Sequence, residues 1–436
     1  MLLGIKEKIM KCNEILYPPF VSWEMNTECN HNCIYCYNYK SDTSNICPYD
    51  ENRIDEVAKF IIEHKPISVS ISGGEPLLIY ETVRKQIERL VAQGIYVCVY
   101  TNGSLVTDEM AAFFAKNNVR LMVSFPSVVQ EEFQKIVGNQ YTYDSVIECF
   151  DILKAYGVNF QPNIVVTSIN CDSIRETIEF LYNQYKPNAI FISRTTKPSN
   201  AGIEYDEVKL NRQQMNDVYH TCIGLAHQYN IRMRSCGGFA LCAFDTDESR
   251  KVFGKVCSFG VDGYTITSEG DIRVCAREGQ VYGNIFFDDF QTIREAMCEW
   301  KSECPPEECV GCRYYDMCRG GCRMAADKGC KSPVKIDCDA KPSLAATWKK
   351  KITGQYKFGL FEKFKVSTVS IVQDVTSCRI SYLYKYLYVD KKVADVLMRK
   401  KEFRFIELCL WCRIGYRNAS NLVGRMLNSN IISKAM

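Results

Sequence analysis

Between residues 21 and 194 strand-like runs alternate with helical ones, and few chain topologies accommodate that order. The strand-like runs are 21–26, 67–72, 95–101, 119–124, 160–167 and 189–194. Helical runs fall near 51–64, 78–93, 105–117, 143–156 and 173–186. In the first of these, Ile54, Val57, Ala58 and Ile61 recur at i, i+3, i+4 and i+7, one face of a helix. Residues 67–72, Ile-Ser-Val-Ser-Ile-Ser, alternate as a strand does. Repeated alternation of this kind predicts a parallel sheet with right-handed crossovers. Ligand sites in such sheets gather at the carboxyl ends of the strands.

The unusual polar strings fall at those ends. Cys29-Asn-His-Asn-Cys33-Ile-Tyr-Cys36 follows the first strand, and Gly73-Gly74-Glu75-Pro76 follows the second. Thr101-Asn102-Gly103 ends the third and Ser124 the fourth. Asn163 lies in the fifth, and Arg194 closes the sixth. A cubane iron–sulfur cluster normally takes four thiolates. Three on one tight loop leave one iron open to a substrate or cofactor. The other reading of the triplet is a zinc knuckle completed elsewhere, by His31 for example. The chain has 24 cysteines and no apparent signal peptide, which predicts a cytoplasmic protein that uses cysteine for metal rather than disulfides. No apolar run reaches the ~18 residues of a membrane span.

The spacing Cys-x3-Cys-x2-Cys, followed one strand later by Gly-Gly-Glu-Pro, resembles the signature of the radical S-adenosylmethionine (SAM) enzymes. The resemblance implies a partial TIM-like (β/α)6 barrel. It also implies a [4Fe–4S] cluster on Cys29, Cys33 and Cys36 that chelates SAM. Gly73, Gly74, Glu75 and Pro76 would hold the methionyl amino group, with Glu75 as an anionic acceptor. Glycine lets backbone approach a ligand closely. Tyr35 matches an aromatic position near the adenine, or is a loop aromatic that shields the cluster. Ser124 and Asn163 match polar positions near the ribose and carboxylate, Arg194 matches one near the carboxylate, and Asn102 belongs to the same rim. The fourth strand reads Val-Ser-Phe-Pro-Ser where relatives more often have Ser-hydrophobic-Asp-Gly, so no acid is carried over to Pro126.

A second cysteine field begins at Cys257 and reads Cys-x12-Gly-x4-Cys to Cys275. Cys309-x2-Cys312-x5-Cys318-x3-Cys322 follows, and then Cys338. These spacings resemble the SPASM domain, which implies two auxiliary [4Fe–4S] clusters. Cys257, Cys275 and Cys322 would serve the first, and Cys309, Cys312, Cys318 and Cys338 the second. The first set is one thiolate short: either Cys236 or Cys242 completes it, or its iron is open to substrate. Paired zinc sites are the bland alternative.

From Ser343 to Met436 there are 18 Lys and Arg against 6 Asp and Glu, a net +12, while the rest of the chain carries −9. Residues 358–375 are strand-like in part, and 391–416 read as one or two basic helices. The lone Cys409-x2-Cys412 has no second pair and is assigned no metal. A basic appendage with interleaved aromatics fits an acidic partner, here a leader peptide; a solvated or disordered tail is the other reading. The expected organisation is a segment 1–20, a radical SAM barrel 21–235, a SPASM domain 236–342 and a basic extension 343–436. By resemblance the protein is an oxidoreductase-type maturase. It would cleave SAM to a 5′-deoxyadenosyl radical and abstract hydrogen from a ribosomally made peptide, to install a thioether or carbon–carbon crosslink. Anaerobic sulfatase maturation (formylglycine formation) and non-catalytic electron carriage are the alternatives. Expected partners are a peptide or protein substrate and a reductant such as flavodoxin or ferredoxin, with neither nucleic acid nor membrane. No catalytic base is assigned.

Overall fold

The structure is a computed structural model. It describes residues 17–38, 50–196, 208–235, 238–254, 257, 259–298, 307–312, 315–325, 358, 362–367, 369–373, 378–382, 385–412, 414 and 416–435. Cys236 and Cys338 lie outside them. By compactness the chain divides into two units, Phe20–Glu63 with Ser68–Trp348, and Met1–Pro19 with His64–Ile67 and Lys349–Met436.

The larger unit is built on β1 (Phe20–Asn26), α1 (Glu51–Glu63), β2 (Ser68–Gly73), α2 (Tyr80–Ala92), β3 (Tyr96–Thr101), α3 (Asp108–Lys116) and β4 (Arg120–Ser124). It continues with α4 (Gln130–Val137), α5 (Tyr143–Ala155), β5 (Asn159–Val166), α6 (Ile174–Tyr185) and β6 (Ala189–Arg194). All six strands are parallel to their neighbours and lie in sequence order. The expected parallel α/β core is therefore present, and the sheet is larger than six strands. Helix α7 (Arg212–Tyr229) leads to β7 (Arg232–Arg234), a seventh parallel strand beside β6. Asn211 and Gln214 form a capping box at the start of α7. At the other edge, β8 (Gly263–Thr267) runs parallel to β1, and β9 (Asp271–Arg273) and β10 (Gly283–Asn284) follow antiparallel. The segment that carries the second cysteine field thus continues the barrel sheet.

Helix α4 was not expected. Its signal is short but present: Phe133, Ile136 and Val137 are buried, acids fill the first turn, and Gly138 closes it at φ +64°.

Period-two alternation sorts the strands into two faces. Trp23, Ile71, Val99, Leu121 and Phe160 are register partners in one buried row facing the helices. The opposite face presents Ser22, Glu24, Ser70, Ser72, Ser124, Gln161, Asn163 and Ser193 on neighbouring strands. The sheet is thus apolar outside and polar within, as a barrel with a ligand-holding lumen requires. Phe125, just past β4, is fully buried, with ring centroids of Phe133, Phe150, Phe180 and Tyr143 at 5.9, 5.5, 6.1 and 6.3 Å.

In the smaller unit, Lys363–Val366 pairs antiparallel with Glu402–Arg404 and Ile432–Lys434, and Ser370–Gln373, Cys378–Tyr382 and Lys385–Val389 form a meander. Helices Lys391–Arg399, Phe405–Cys412 and Tyr416–Asn428 complete it. Its core includes Phe364, Ile380, Phe403, Phe405, Leu408 and Val423. The buried Arg379 guanidinium donates to the Tyr17 carbonyl at 2.9 Å and to the Lys65 carbonyl.

Replacing Phe125 with Ala should lower the unfolding free energy by about 3–5 kcal/mol. Phe125→Leu should cost markedly less. Urea titration of the reconstituted protein checks both.

Candidate functional site

Residues 27–37 leave β1 as the triplet loop, and four neighbouring segments hold it. The Asn32 and Ile34 N–H groups donate to the Val137 and Ile136 carbonyls, both at 2.9 Å. These are end-of-helix carbonyls that α4 cannot satisfy itself. Asn139 Nδ2 donates to the Asn30 carbonyl at 3.0 Å, Asn30 Nδ2 to Ser104 Oγ at 2.9 Å, and Asn102 Nδ2 to Asn30 Oδ1 at 2.8 Å. The His31 N–H points at Cys29 Sγ, 3.4 Å away, and Asn102 Nδ2 lies 4.0 Å from the same sulfur.

The glycines act on this loop rather than standing open. A Cβ on Gly74 would lie 1.8 Å from the Glu28 carbonyl oxygen, and one on Gly73 2.2 Å from that of Asn26. Gly74 N–H donates to Asn26 O at 2.8 Å and Glu75 N–H to Glu28 O at 2.7 Å. Bare backbone here lets the β2 turn lie against the loop entrance. Pro76 opens a single 3-10 turn, Pro76–Ile79.

Glu75 is 1% exposed and points into the protein. Its Oε1 accepts from Leu77 N–H at 3.0 Å and Thr101 Oγ1 at 2.8 Å, and Oε2 accepts from Asn102 N–H at 2.7 Å. Burial raises its carboxyl from 4.5 to about 7, although the hydrogen bonds from Asn102, Leu77 and Thr101 pull the other way. The sequence suggested an acceptor for a ligand ammonium; the carboxylate instead ties the ends of β2 and β3 together.

At the far side of the lumen, Ser124 and Asn163 are register partners, and Asn163 Oδ1 accepts from Ser193 Oγ at 2.7 Å. Ser193, which the sequence did not single out, shares their face. Arg194 has the opposite parity: its guanidinium stacks 4.3 Å over the Phe239 ring.

The thiols fall into three electrostatic groups. Burial, and then the charges of Cys36 and Cys29, push Cys33 well above the ordinary thiol range, and the Tyr35 hydroxyl hydrogen-bonds it. Burial, and then Cys257 and Cys322, push Cys275 up to about 12. Burial, and then Cys318, Cys312 and Cys242, do the same to Cys309. Cys242, which the sequence offered as a completion of the first auxiliary set, is among the charges that raise Cys309. Among the described residues no three His, Cys, Asp or Glu side chains close on a single point that could hold one ion. Three cysteines in each group are the donor type that an iron–sulfur cluster takes. His31 is buried and kept neutral, its pKa lowered to about 4 by burial, and among the described residues its ring nitrogens have no hydrogen-bond partner.

Tyr37 is pushed up to about 12 by burial and by Cys36, with Arg277 opposing and Cys275 adding to the rise. Glu24 on β1 pairs with Arg273 on β9, and Arg273 also donates to the carbonyls of Ala276 and Glu278 at 3.4 and 3.2 Å. That arginine orients the turn that carries Cys275.

Residues 23–181 match the radical SAM superfamily. That segment of the chain is a radical SAM domain. It is similar to the AdoMet-dependent heme synthase of Methanosarcina barkeri, 26% identical over 334 residues that cover 71% of this chain and 92% of that protein. It is also similar to a cysteine-type anaerobic sulfatase-maturating enzyme of Clostridium perfringens, 23% identical over 344 residues (71% and 90% covered). In fold it resembles Streptococcus suis SuiB, solved with S-adenosylmethionine, at TM-score 0.60, 18% identity and 76% and 78% coverage. SuiB has also been solved bound to precursor peptide SuiA. The radical SAM domain makes this an enzyme, with SAM and [4Fe–4S] clusters as its cofactors. No helix among the described residues is long and apolar enough to cross a membrane.

The folded protein binds the Glu75 proton more tightly than the unfolded chain does. The group's relative stability is greatest below pH 4.5, falls between 4.5 and about 7, and is constant above that. Against Glu75→Gln, the wild type should lose on the order of 3 kcal/mol across this window. Denaturant midpoints of both proteins at several pH values check the slope.

Proposed function

We propose that this enzyme modifies a ribosomally made peptide, installing a thioether or carbon–carbon crosslink. The observation that carries the reading is the position of the thiol triplet, at the carboxyl rim of a polar lumen, in a fold like that of SuiB. Cys29, Cys33 and Cys36 would hold a cluster that, with SAM bound, would supply one-electron chemistry for removing hydrogen from an unactivated C–H bond.

The chain's own residues bind and position. Cys29, Cys33 and Cys36 carry the cluster. The Asn30–Asn102–Ser104 hydrogen bonds and the α4 carbonyls fix the triplet loop against it. Glu75 holds the β2 and β3 turns, so that backbone of the Gly73–Gly74 turn, rather than the carboxylate, meets the methionyl ammonium. Tyr35 shields the triplet on the adenine side. Ser124 and Asn163 present polar atoms to the ribose and carboxylate, and Ser193 takes the sixth-strand place that the sequence gave to Arg194. Cys257, Cys275 and Cys322 carry one auxiliary cluster, and Cys309, Cys312 and Cys318 belong to another. The basic C-terminal unit grips an acidic leader segment of the substrate.

Replacing all three triplet cysteines with Ala should abolish 5′-deoxyadenosine formation and leave the auxiliary iron bound. Anaerobic co-expression with small proteins encoded beside this gene, read by mass spectrometry, should find one that loses two hydrogens only when Cys33 is intact. A set of unmodified neighbours would overturn peptide crosslinking.

Deleting residues 345–436 should weaken substrate affinity by about tenfold or more, as loss of a second attachment does. SAM cleavage without substrate should persist. Unchanged affinity in a peptide-binding titration would remove the leader-binding role.

A further inference from the structure

Past β6 the lumen face carries arginine where the earlier strands carry serine and asparagine. Register runs without a break from Ser124 on β4 to Asn163 on β5, Phe191 on β6 and Arg234 on β7. Arg232 pairs with Ala189 and has the same parity as Arg234. Met233 between them is buried on the helix side, and both arginines are exposed. β7 is the last strand on this side of the sheet, so the pair borders its open edge.

Neither arginine forms an ion pair among the described residues; Arg232 Nε donates to the Asn188 carbonyl at 3.3 Å. Arg120 shares the face, since its register partner Asn159 has the parity of Asn163. Burial, and then the charges of Arg232 and Arg120, lower the proton affinity of Arg234. Cations gathered on one wall of a cleft attract an anion.

A second observation points to a ligand. Gln161, on the same face of β5, is 6% exposed, and its Oε1 has no hydrogen-bond partner among the described residues. Asn159 Oδ1 is buried there without one as well. A buried amide oxygen needs a donor. A ligand that suits both features brings a carboxylate to the guanidiniums and an N–H to the amide oxygen. An α-carboxylate with an N–H on the same carbon is such a group.

We propose that the β7 side of the lumen is a carboxylate-binding site, with Arg234 and Arg232 as its cations and Gln161 as its acceptor, and that it takes the terminal carboxylate of the peptide substrate. The inference rests on the reading of this protein as a peptide-modifying enzyme. The methionyl group of SAM presents the same chemistry, so the test separates the two sources.

The probes are N-acetylalanine, which has the carboxylate and the N–H, and N-acetylalaninamide, which has no charge. Saturation-transfer NMR measures their binding to the anaerobically reconstituted full chain, with SAM and without reductant. Wild type should bind the acid about tenfold or more tightly than the amide, as a charge-assisted contact gives. Arg234→Gln should remove that preference, Arg234→Lys should keep part of it, and Gln161→Leu should weaken both probes. Equal binding of the two probes to wild type, or a preference that survives Arg234→Gln, would overturn the site. A second arm compares SAM with decarboxylated SAM. If Arg234→Gln abolishes the difference between those two, the site belongs to the methionyl carboxylate and the peptide source is overturned. Co-expression separates the inference from the reading beneath it. A neighbouring peptide crosslinked as well by Arg234→Gln as by wild type overturns the site and leaves peptide modification standing. No modified neighbour overturns that reading, while the probe titrations still decide the carboxylate site.

Discussion

The buried carboxylate of Glu75 is the constraint on which the site depends. Three loops that leave adjacent parallel strands have no regular ladder to hold them together past the strand ends. Glu75 supplies the missing bonds: its backbone N–H reaches the carbonyl of Glu28 on the first loop, and its side chain accepts from Thr101 and Asn102 on the third. Such an acceptor is strong because it is charged and dry, and costly for the same reason. Its proton affinity lies above that of an exposed carboxyl, which says that burial outweighs three donors. Asn102 then extends the brace from the carboxylate to Asn30 and so to the triplet loop.

Much of this was legible in the sequence, because local rules govern it. Period-two and period-3.6 patterns located the six strands and most of the helices. The strand-end rule places Cys29, Gly74, Asn102 and Ser124 on one rim. What the patterns missed was short or non-local. Helix α4 has eight residues, and β7 has three. A strand of three residues carries too little alternation to stand out from a loop. The continuation of the sheet through β8 to β10 depends on pairing with β1, across more than two hundred residues of chain, and no local pattern encodes a partner.

The site residues divide along the same line. Motif spacing found the thiols and the Gly-Gly-Glu-Pro turn. It did not show which way Glu75 faces, because a glutamate that accepts a ligand ammonium and one that accepts backbone N–H groups are the same letter. Arg194 turns on strand parity: adjacent residues of a strand point to opposite faces, so a one-residue choice decides which face a side chain takes. Ser193 has the lumen parity and the bond to Asn163, and Arg194 has the aromatic partner Phe239.

The extended sheet also explains how thiols from distant parts of the chain come to share one interior. β8 pairs with β1 in parallel, so the cysteine-rich segment begins in register with the strand that feeds the triplet loop. β9 then folds back antiparallel, and its Arg273 returns to Glu24 on β1 while fixing the carbonyls around Cys275. A charge pair placed this deep is weak evidence of stability, since desolvation offsets much of its attraction. What it does supply is direction: a guanidinium with a carboxylate on one side and two carbonyls on the other has few alternative poses. Tyr37, which feels both Cys36 and Cys275, lies at the same junction. The relative placement of the triplet and the first auxiliary group is thus set by strand pairing and one arginine.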